Sequence, residues 1–283
     1  IIAYSVCSVG LMIMELPFCF EHKEIVALSK KMLLFSIPLI PNTIAFWIVN
    51  LSDRFMIKLW LGEYYNGQYA IACKVPSLIT TLYSAFTLAW QAEAIELIKK
   101  KDYKKITSVL HTVVNILFSG MFVISASMPL IYKYFINENY SYSLVLVPTL
   151  LLGTVWLSVA QFINGILIAN YNTKDIGITT SLVAVINVAI NFIFMKRYGL
   201  IIAAVSTAVA YFVLMILRMN LIKQMLDFKL VVRIVLFSML EMMFLLFYRI
   251  DNMIIIIGCI LICGFIFAFV NKELFLKFIV KRR

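Results

Sequence analysis

The sequence predicts an all-α integral membrane protein, a multi-span helical bundle, and three observations carry that reading. Of its 283 residues, 63% are hydrophobic and only 14% are charged, whereas a soluble domain carries about 45–50% apolar and about 25% charged residues. The mean hydropathy of +0.99 implies more apolar surface than a water-soluble fold of this size hides, since even a domain of about 300 residues leaves about a quarter of its surface in water. The apolar residues also come in runs of about 20, enough to cross a bilayer core as helix. No period-2 alternation is sustained, which excludes a β-barrel.

Apolar runs between polar breaks give a partial span over 1–18 and eight full spans. These lie near 33–58, 67–96, 107–134, 142–169, 175–195, 199–218, 231–248 and 252–271. The breaks (LGEYYNG, KKKDYKK, INENYSYS, NYNTKD, MKRYG, YRID) are short, so successive spans form antiparallel hairpins with no soluble domain between them. The chain opens on Ile1 already inside an apolar run, without a basic n-region or a small-residue cleavage site. That pattern reads as the end of a preceding transmembrane helix rather than a signal peptide.

Charge orients the bundle. When alternate loops are assigned to two sides, eighteen of the 25 Lys and Arg residues fall on one side, Arg218 among them, and five on the other; Arg54 and Lys74 lie within spans. Positively charged loops stay in the cytoplasm, which predicts a multi-pass protein of the cytoplasmic membrane with a cytoplasmic C-terminus. The net charge of +11 is thereby explained by topology. No nucleic-acid partner is needed, and basic runs such as Lys99–Lys101 can meet anionic lipid headgroups.

An ionisable group at mid-span costs about 2.5–3.5 kcal/mol on insertion scales, so each is a functional candidate. Asp53 and Arg54 end the first full span and Lys74 begins the next; a hairpin centred near Glu63 sets residue 53 opposite about residue 73. These three residues share one depth. Either Asp53 pairs with a cation to hold two helices together, or the surplus cation faces an anionic ligand such as a phosphate. Glu241 sits near the middle of its span with no basic partner in that helix. It is either protonated and hydrogen-bonded, paired across the bundle, or part of an ion-coupling path. Asn42, Asn50, Gln161, Asn164, Asn187 and Asn191 are intramembrane amides, which join helices or recognise sugar hydroxyls in a wet cavity. Pro38 and Pro41 predict a break in the first full span. His111 reads as a lone interfacial histidine.

Catalytic chemistry is not expected. There is no GxxxxGK[ST] run, no HExxH, and no Ser or Cys nucleophile placed with a His. The five cysteines form no CxxC pair and read as small apolar fillers, so neither metal nor cofactor is expected.

The stretch Ser36–Ile79 (SIPLIPNTIAFWIVNLSDRFMIKLWLGEYYNGQYAIACKVPSLI) resembles the polysaccharide-flippase family. These are the Wzx-type lipid-linked oligosaccharide transporters of the multidrug/oligosaccharidyl-lipid/polysaccharide exporter superfamily. The matching residues are Ser36, Pro38, Leu39, Ile40, Pro41 and Asn42, then Ser52, Asp53 and Arg54, then Gly67, Tyr69, Ala72, Lys74 and Pro76. Further matches are Ala89-Trp90, Pro148, Leu151-Leu152-Gly153, Asn187, Asn191 and Gly199 through Arg218. The resemblance covers roughly 33–222. It implies the C-terminal lobe of a two-lobe, MATE-like transporter fold, divided into 1–18 as the end of a preceding transmembrane helix, 19–32 as a cytoplasmic linker, 33–222 as a six-helix lobe, 223–271 as two additional helices and 272–283 as a basic cytoplasmic tail. The implied function is translocation of an undecaprenyl-pyrophosphate-linked oligosaccharide for O-antigen, capsule or exopolysaccharide synthesis in the bacterial inner membrane. Its partners would be that substrate, membrane lipid, the N-terminal lobe of the same protein and a polysaccharide polymerase. Alternatives are a cation-coupled drug or metabolite exporter of the same superfamily, and a non-transporting scaffold of a polysaccharide assembly complex. The residues expected to meet substrate are Arg54, Lys74, Asp53, Asn42, Asn50, Asn187 and Asn191, with Glu241 as the ion-coupling candidate.

Overall fold

A computed structural model describes residues 22–248, 252–272 and 274. The expected helix end at 1–18 and most of the basic tail at 272–283 lie outside the described residues. Within them the chain runs as α1 (His22–Ser36), α2 (Leu39–Trp60), α3 (Glu63–Ala72), α4 (Lys74–Lys100), α5 (Tyr103–Phe135), a 3-10 segment (Glu138–Leu146), α6 (Val147–Ala169), α7 (Thr173–Tyr198) and α8 (Ile201–Leu221). A short 3-10 turn (Lys223–Met225), α9 (Phe228–Met242), α10 (Phe244–Phe247) and α11 (Met253–Val270) follow. No strand occurs among the described residues. Among the described residues seven helical stretches are long and apolar enough to cross a membrane, and counting the bent pair α3–α4 as one span gives eight, the number of full spans read from the sequence.

The side-chain distribution is that of a protein dissolved in lipid. Leu34, Trp47, Phe55, Leu82, Phe135 and Ile254 are among many large apolar side chains left exposed, while polar ones such as Gln68, Ser125, Asn187 and Asn191 are fully buried. Helix α6 is the hub. Nearly every residue of it is buried, and it packs on α8 and on α4, while α2 packs on α7 and α7 on α8. The last helix, α11, lies along α5. Without a hydrophobic drive between helices in lipid, close backbone approach and interhelical hydrogen bonds hold such a bundle. Gly153 illustrates the first: a Cβ there would sit 3.0 Å from the Ala208 Cα of α8. Trp90 illustrates the second, donating from its indole to the Phe162 carbonyl at 2.9 Å while stacking on the Phe162 ring.

Local signals set several of the helix ends. Helix α1 stops at Ser36, and a turn through Ile37 and Pro38 precedes α2; Pro41 then falls in the first turn, where its missing N–H costs nothing. Gly62 adopts φ +96°, a conformation closed to residues with a Cβ, and reverses the chain between α2 and α3. The 44° bend between α3 and α4 interrupts the single span expected over 67–96. On the same side of the bundle as Gly62, the Gln68 amide clamps the 3-10 segment: its Nε2 donates to the Asn139 carbonyl at 2.6 Å and its Oε1 accepts from Ser143 N at 3.0 Å.

Candidate functional site

Asp53 points inward from α2 and is 3% exposed. Three neutral donors from three helices meet it. Tyr69 Oη of α3 (2.9 Å) and Thr207 Oγ1 of α8 (2.6 Å) donate to Oδ2, and Asn191 Nδ2 of α7 (2.5 Å) donates to Oδ1. Behind this shell, Ser206 Oγ donates to Asn191 Oδ1 at 2.8 Å and accepts from Asn187 Nδ2 at 3.3 Å, while Ser52 Oγ donates to Asn187 Oδ1 at 3.3 Å. The i, i+4 spacing of Asn187 and Asn191 sets both amides on one face of α7, and that face meets α2 and α8. Hydrogen bonds to a charged group contribute about 1.5–3 kcal/mol each. Three of them offset the about 2.5–3.5 kcal/mol of a mid-span carboxylate, so no cation is required.

No cation is supplied. Among the described residues no ion pair joins Asp53 to Arg54 or Lys74, which corrects the pairing considered from sequence. The hairpin turn is centred on Leu61–Gly62 rather than on Glu63, and displacing a hairpin centre moves every facing partner by twice as much. Tyr69 therefore faces Asp53, and the α3–α4 bend at Cys73 carries Lys74 elsewhere.

A cavity of about 370 Å³ opens on this cluster. Asn50, Asp53 and Arg54 line it from α2, Tyr69 from α3, Gln161 from α6 and Thr207 from α8. Arg54 is exposed and forms no ion pair among the described residues; the Asn50 amide bonds back to the Phe46 carbonyl of its own helix at 2.9 Å. The wall thus presents one guanidinium, one carboxyl already held by neutral donors, and several amides and hydroxyls, all inside an apolar bundle. Such a surface can solvate a polar, anion-bearing headgroup that the bilayer core cannot.

The other expected site residues divide. Asn187 and Asn191 are fully buried and support the cavity wall instead of lining it. Lys74 is exposed at the first turn of α4 and lies off the lining. Asn42 belongs to a different cluster. Its Oδ1 accepts from Thr180 Oγ1 at 2.7 Å, Arg218 Nη2 donates to that same Thr180 oxygen at 2.9 Å, and Arg218 Nη1 donates to the Ala160 carbonyl at 3.1 Å. Arg218 is 0% exposed. This overturns its assignment to a cytoplasmic loop: α8 continues to Leu221, and the guanidinium turns back into the bundle. Glu241 is also fully buried, on α9 away from the cavity lining. It accepts from Ser125 Oγ of α5, whose carbonyl in turn accepts from Tyr248 Oη at 2.8 Å.

Sequence reasoning about charge missed Tyr69 and Thr207 as partners of Asp53. Tyr69 carried a signal in the quoted motif, but nothing in spacing alone aims a phenol at residue 53. Thr207 is one hydroxyl in an apolar helix, where such groups commonly bond within their own turn.

No family model matches this sequence, and no curated protein matches it. Among solved structures, the fold is similar to that of lipid II flippase MurJ in its inward closed conformation. The TM-score is 0.56 and the identity 16%, over 88% of this chain and 53% of that one. At that identity the likeness is one of fold, and the chain spans about half the length of the structure it matches. This is an integral membrane protein, helical throughout its described elements, whose fold is similar to that of the matched structure.

Proposed function

We propose that this chain forms the C-terminal lobe of a flippase that carries a lipid-linked oligosaccharide across the bacterial cytoplasmic membrane, its basic loops facing the cytoplasm. A bilayer opposes this movement because pyrophosphate and sugar hydroxyls lose their hydration in hydrocarbon. A polar cavity in the bundle, opening in turn to each side, removes that barrier. The observation that carries the reading is the cavity wall beside Asp53, where Arg54 offers a guanidinium that pairs with no carboxylate among the described residues and where amides and hydroxyls gather. Guanidinium matches phosphate oxygens in a fork geometry, and amides suit sugar hydroxyls. The fold likeness to a lipid II flippase supports a lipid-linked substrate as a class. An undecaprenyl-pyrophosphate glycan of O-antigen, capsule or exopolysaccharide type is the finer reading, and it comes from the motif resemblance over 33–222. A cation exporter would use the Asp53 carboxyl instead, but three donors already occupy its oxygens.

The test is a flipping assay in cells that lack their own transporter and express the complete gene product. Arg54→Ala should abolish translocation at unchanged membrane level, and Arg54→Lys should keep part of it. Undiminished flipping by Arg54→Ala overturns the reading. Orientation is tested separately with a membrane-impermeant thiol reagent on intact cells or spheroplasts. It should label Asn139→Cys and leave Lys100→Cys unlabelled, in a background whose native cysteines are replaced.

A further inference from the structure

Far along the chain from that cavity, a second pocket of about 340 Å³ lies between α5, α9 and the end of α11. His111, Thr112 and Asn115 line it from α5, Arg233 from α9, and Asn271 and Lys272 from the end of α11. The histidine that stands alone in the sequence thus has two cations for company. Among the described residues no carboxylate lines the pocket, and neither Arg233 nor Lys272 forms an ion pair. Arg233 is held in place: its Nη1 donates to Asn115 Oδ1 at 2.7 Å, and the rest of the guanidinium fork makes no hydrogen bond among the described residues. Lys272 Nζ rests 5.1 Å over the Phe269 ring. The end of the pocket is fixed as well: Asn271, 4% exposed, donates from Nδ2 to Ser119 Oγ at 2.9 Å and to the Phe267 carbonyl at 2.8 Å.

We propose that this pocket binds a phosphate group, with Arg233 and Lys272 taking its oxygens. Position favours a phospholipid headgroup as the source. Helix α5 has 33 residues, about 50 Å at about 1.5 Å per residue, so it outruns an about 30 Å hydrocarbon core. Its first turns, with His111 and Thr112, reach headgroup level. The same elements expose Phe228, Phe265 and Phe269, an apolar surface for acyl chains beside a basic pocket. Occupation ties α9 and α11 to α5 through one ligand, so the headgroup acts as a pin for the last helices.

The test uses the purified chain in detergent and counts retained lipid by native mass spectrometry. Dioleoyl phosphatidylglycerol, dioleoyl phosphatidylcholine and sodium phosphate are the probes. Phosphatidylglycerol should be retained preferentially, and its affinity should fall about tenfold or more in the Arg233→Gln/Lys272→Gln double variant, since each basic residue near anionic lipid contributes appreciably. Arg233→Lys should keep most of the binding. Should the double variant not fold, Lys272→Gln alone, at an exposed site, should still weaken retention several-fold. Competition by millimolar sodium phosphate would assign the pocket to free phosphate, and its failure would assign it to the lipid. Equal retention of the two lipids, or unchanged phosphatidylglycerol affinity in the charge-removing variants, overturns the proposal.

Discussion

Asp53 and Glu241 are both carboxyls set wholly inside an apolar bundle, yet their surroundings differ. Asp53 accepts from Tyr69, Asn191 and Thr207; Asn191 is tied to Ser206, Thr207 to Asn187, and Asn187 in turn to Ser206 and Ser52. Among the described residues Glu241 accepts from Ser125 alone, and its second oxygen has no partner. Asp53 lines a cavity; Glu241 is sealed between α9 and α5. The contrast separates two uses of a buried acid. Around Asp53 four helices converge and leave a polar opening, so the carboxyl organises a surface. At Glu241 one hydrogen bond joins two helices, away from the cavity lining.

The largest effect should follow from emptying the first environment. Asp53→Ala strands three donors, each worth about 1–3 kcal/mol when buried without a partner. Tyr69 and Thr207 line the cavity and can turn to water there, whereas Asn191 cannot. A loss of about 2–4 kcal/mol is expected, read as a lowered midpoint of thermal unfolding in detergent. Asp53→Asn keeps one acceptor oxygen and should lose about half as much. Asn191→Leu, which removes one donor from Asp53 and leaves the Ser206 hydroxyl its Ala203 carbonyl and Asn187 partners, should fall between wild type and Asp53→Ala. If Asp53→Ala unfolds at the wild-type temperature, the network is not what joins α2 to α7 and α8.

The two regions were not equally legible in the sequence. Span count and helix polarity follow from apolar run length, because a 20-residue run in lipid has few alternatives to helix. Asp53 and Glu241 were visible as sites because a lone acid in such a run is conspicuous. Their partners were not, since serine, threonine and tyrosine are common in spans and only tertiary register says which face meets which. Register turned on one glycine: Gly62 displaces the hairpin centre, putting Tyr69 rather than Lys74 against Asp53. Arg218 shows the same limit from the other side. It is near a helix end and reads as a loop cation, but its long side chain bends back to Thr180 and Ala160, a reach that position alone does not reveal.

The second environment should be far less sensitive. Glu241→Gln keeps an acceptor for Ser125 and removes an ionisable group from a site with one partner. Replacing a buried ionisable group by a neutral one of similar volume is often neutral or stabilising, so the unfolding midpoint should stay level or rise. A fall as large as that of Asp53→Ala would erase the distinction between the two sites. The same variant sharpens it functionally in the complete protein. Transport lost at an unchanged midpoint assigns Glu241 to ion coupling, and transport retained leaves it a strut between α5 and α9.

Lys74→Ala should give the smallest change of all. Its side chain is exposed, forms no ion pair among the described residues, and lies beside the cavity rather than on its lining. Substitutions at such positions usually stay within about 0.5 kcal/mol, so the unfolding midpoint should not move measurably. Flipping by the complete protein should fall less for Lys74→Ala than for Arg54→Ala. A lysine outside the wall adds to the local potential, whereas Arg54 can meet the phosphate in a forked geometry that a point charge does not reproduce. Salt should weaken whatever contribution Lys74 makes, because exposed charges are screened over about 8 Å at physiological ionic strength. An equal loss from both substitutions, undiminished at high salt, would mean that α4 straightens at Cys73 during transport and brings Lys74 onto the wall beside Arg54.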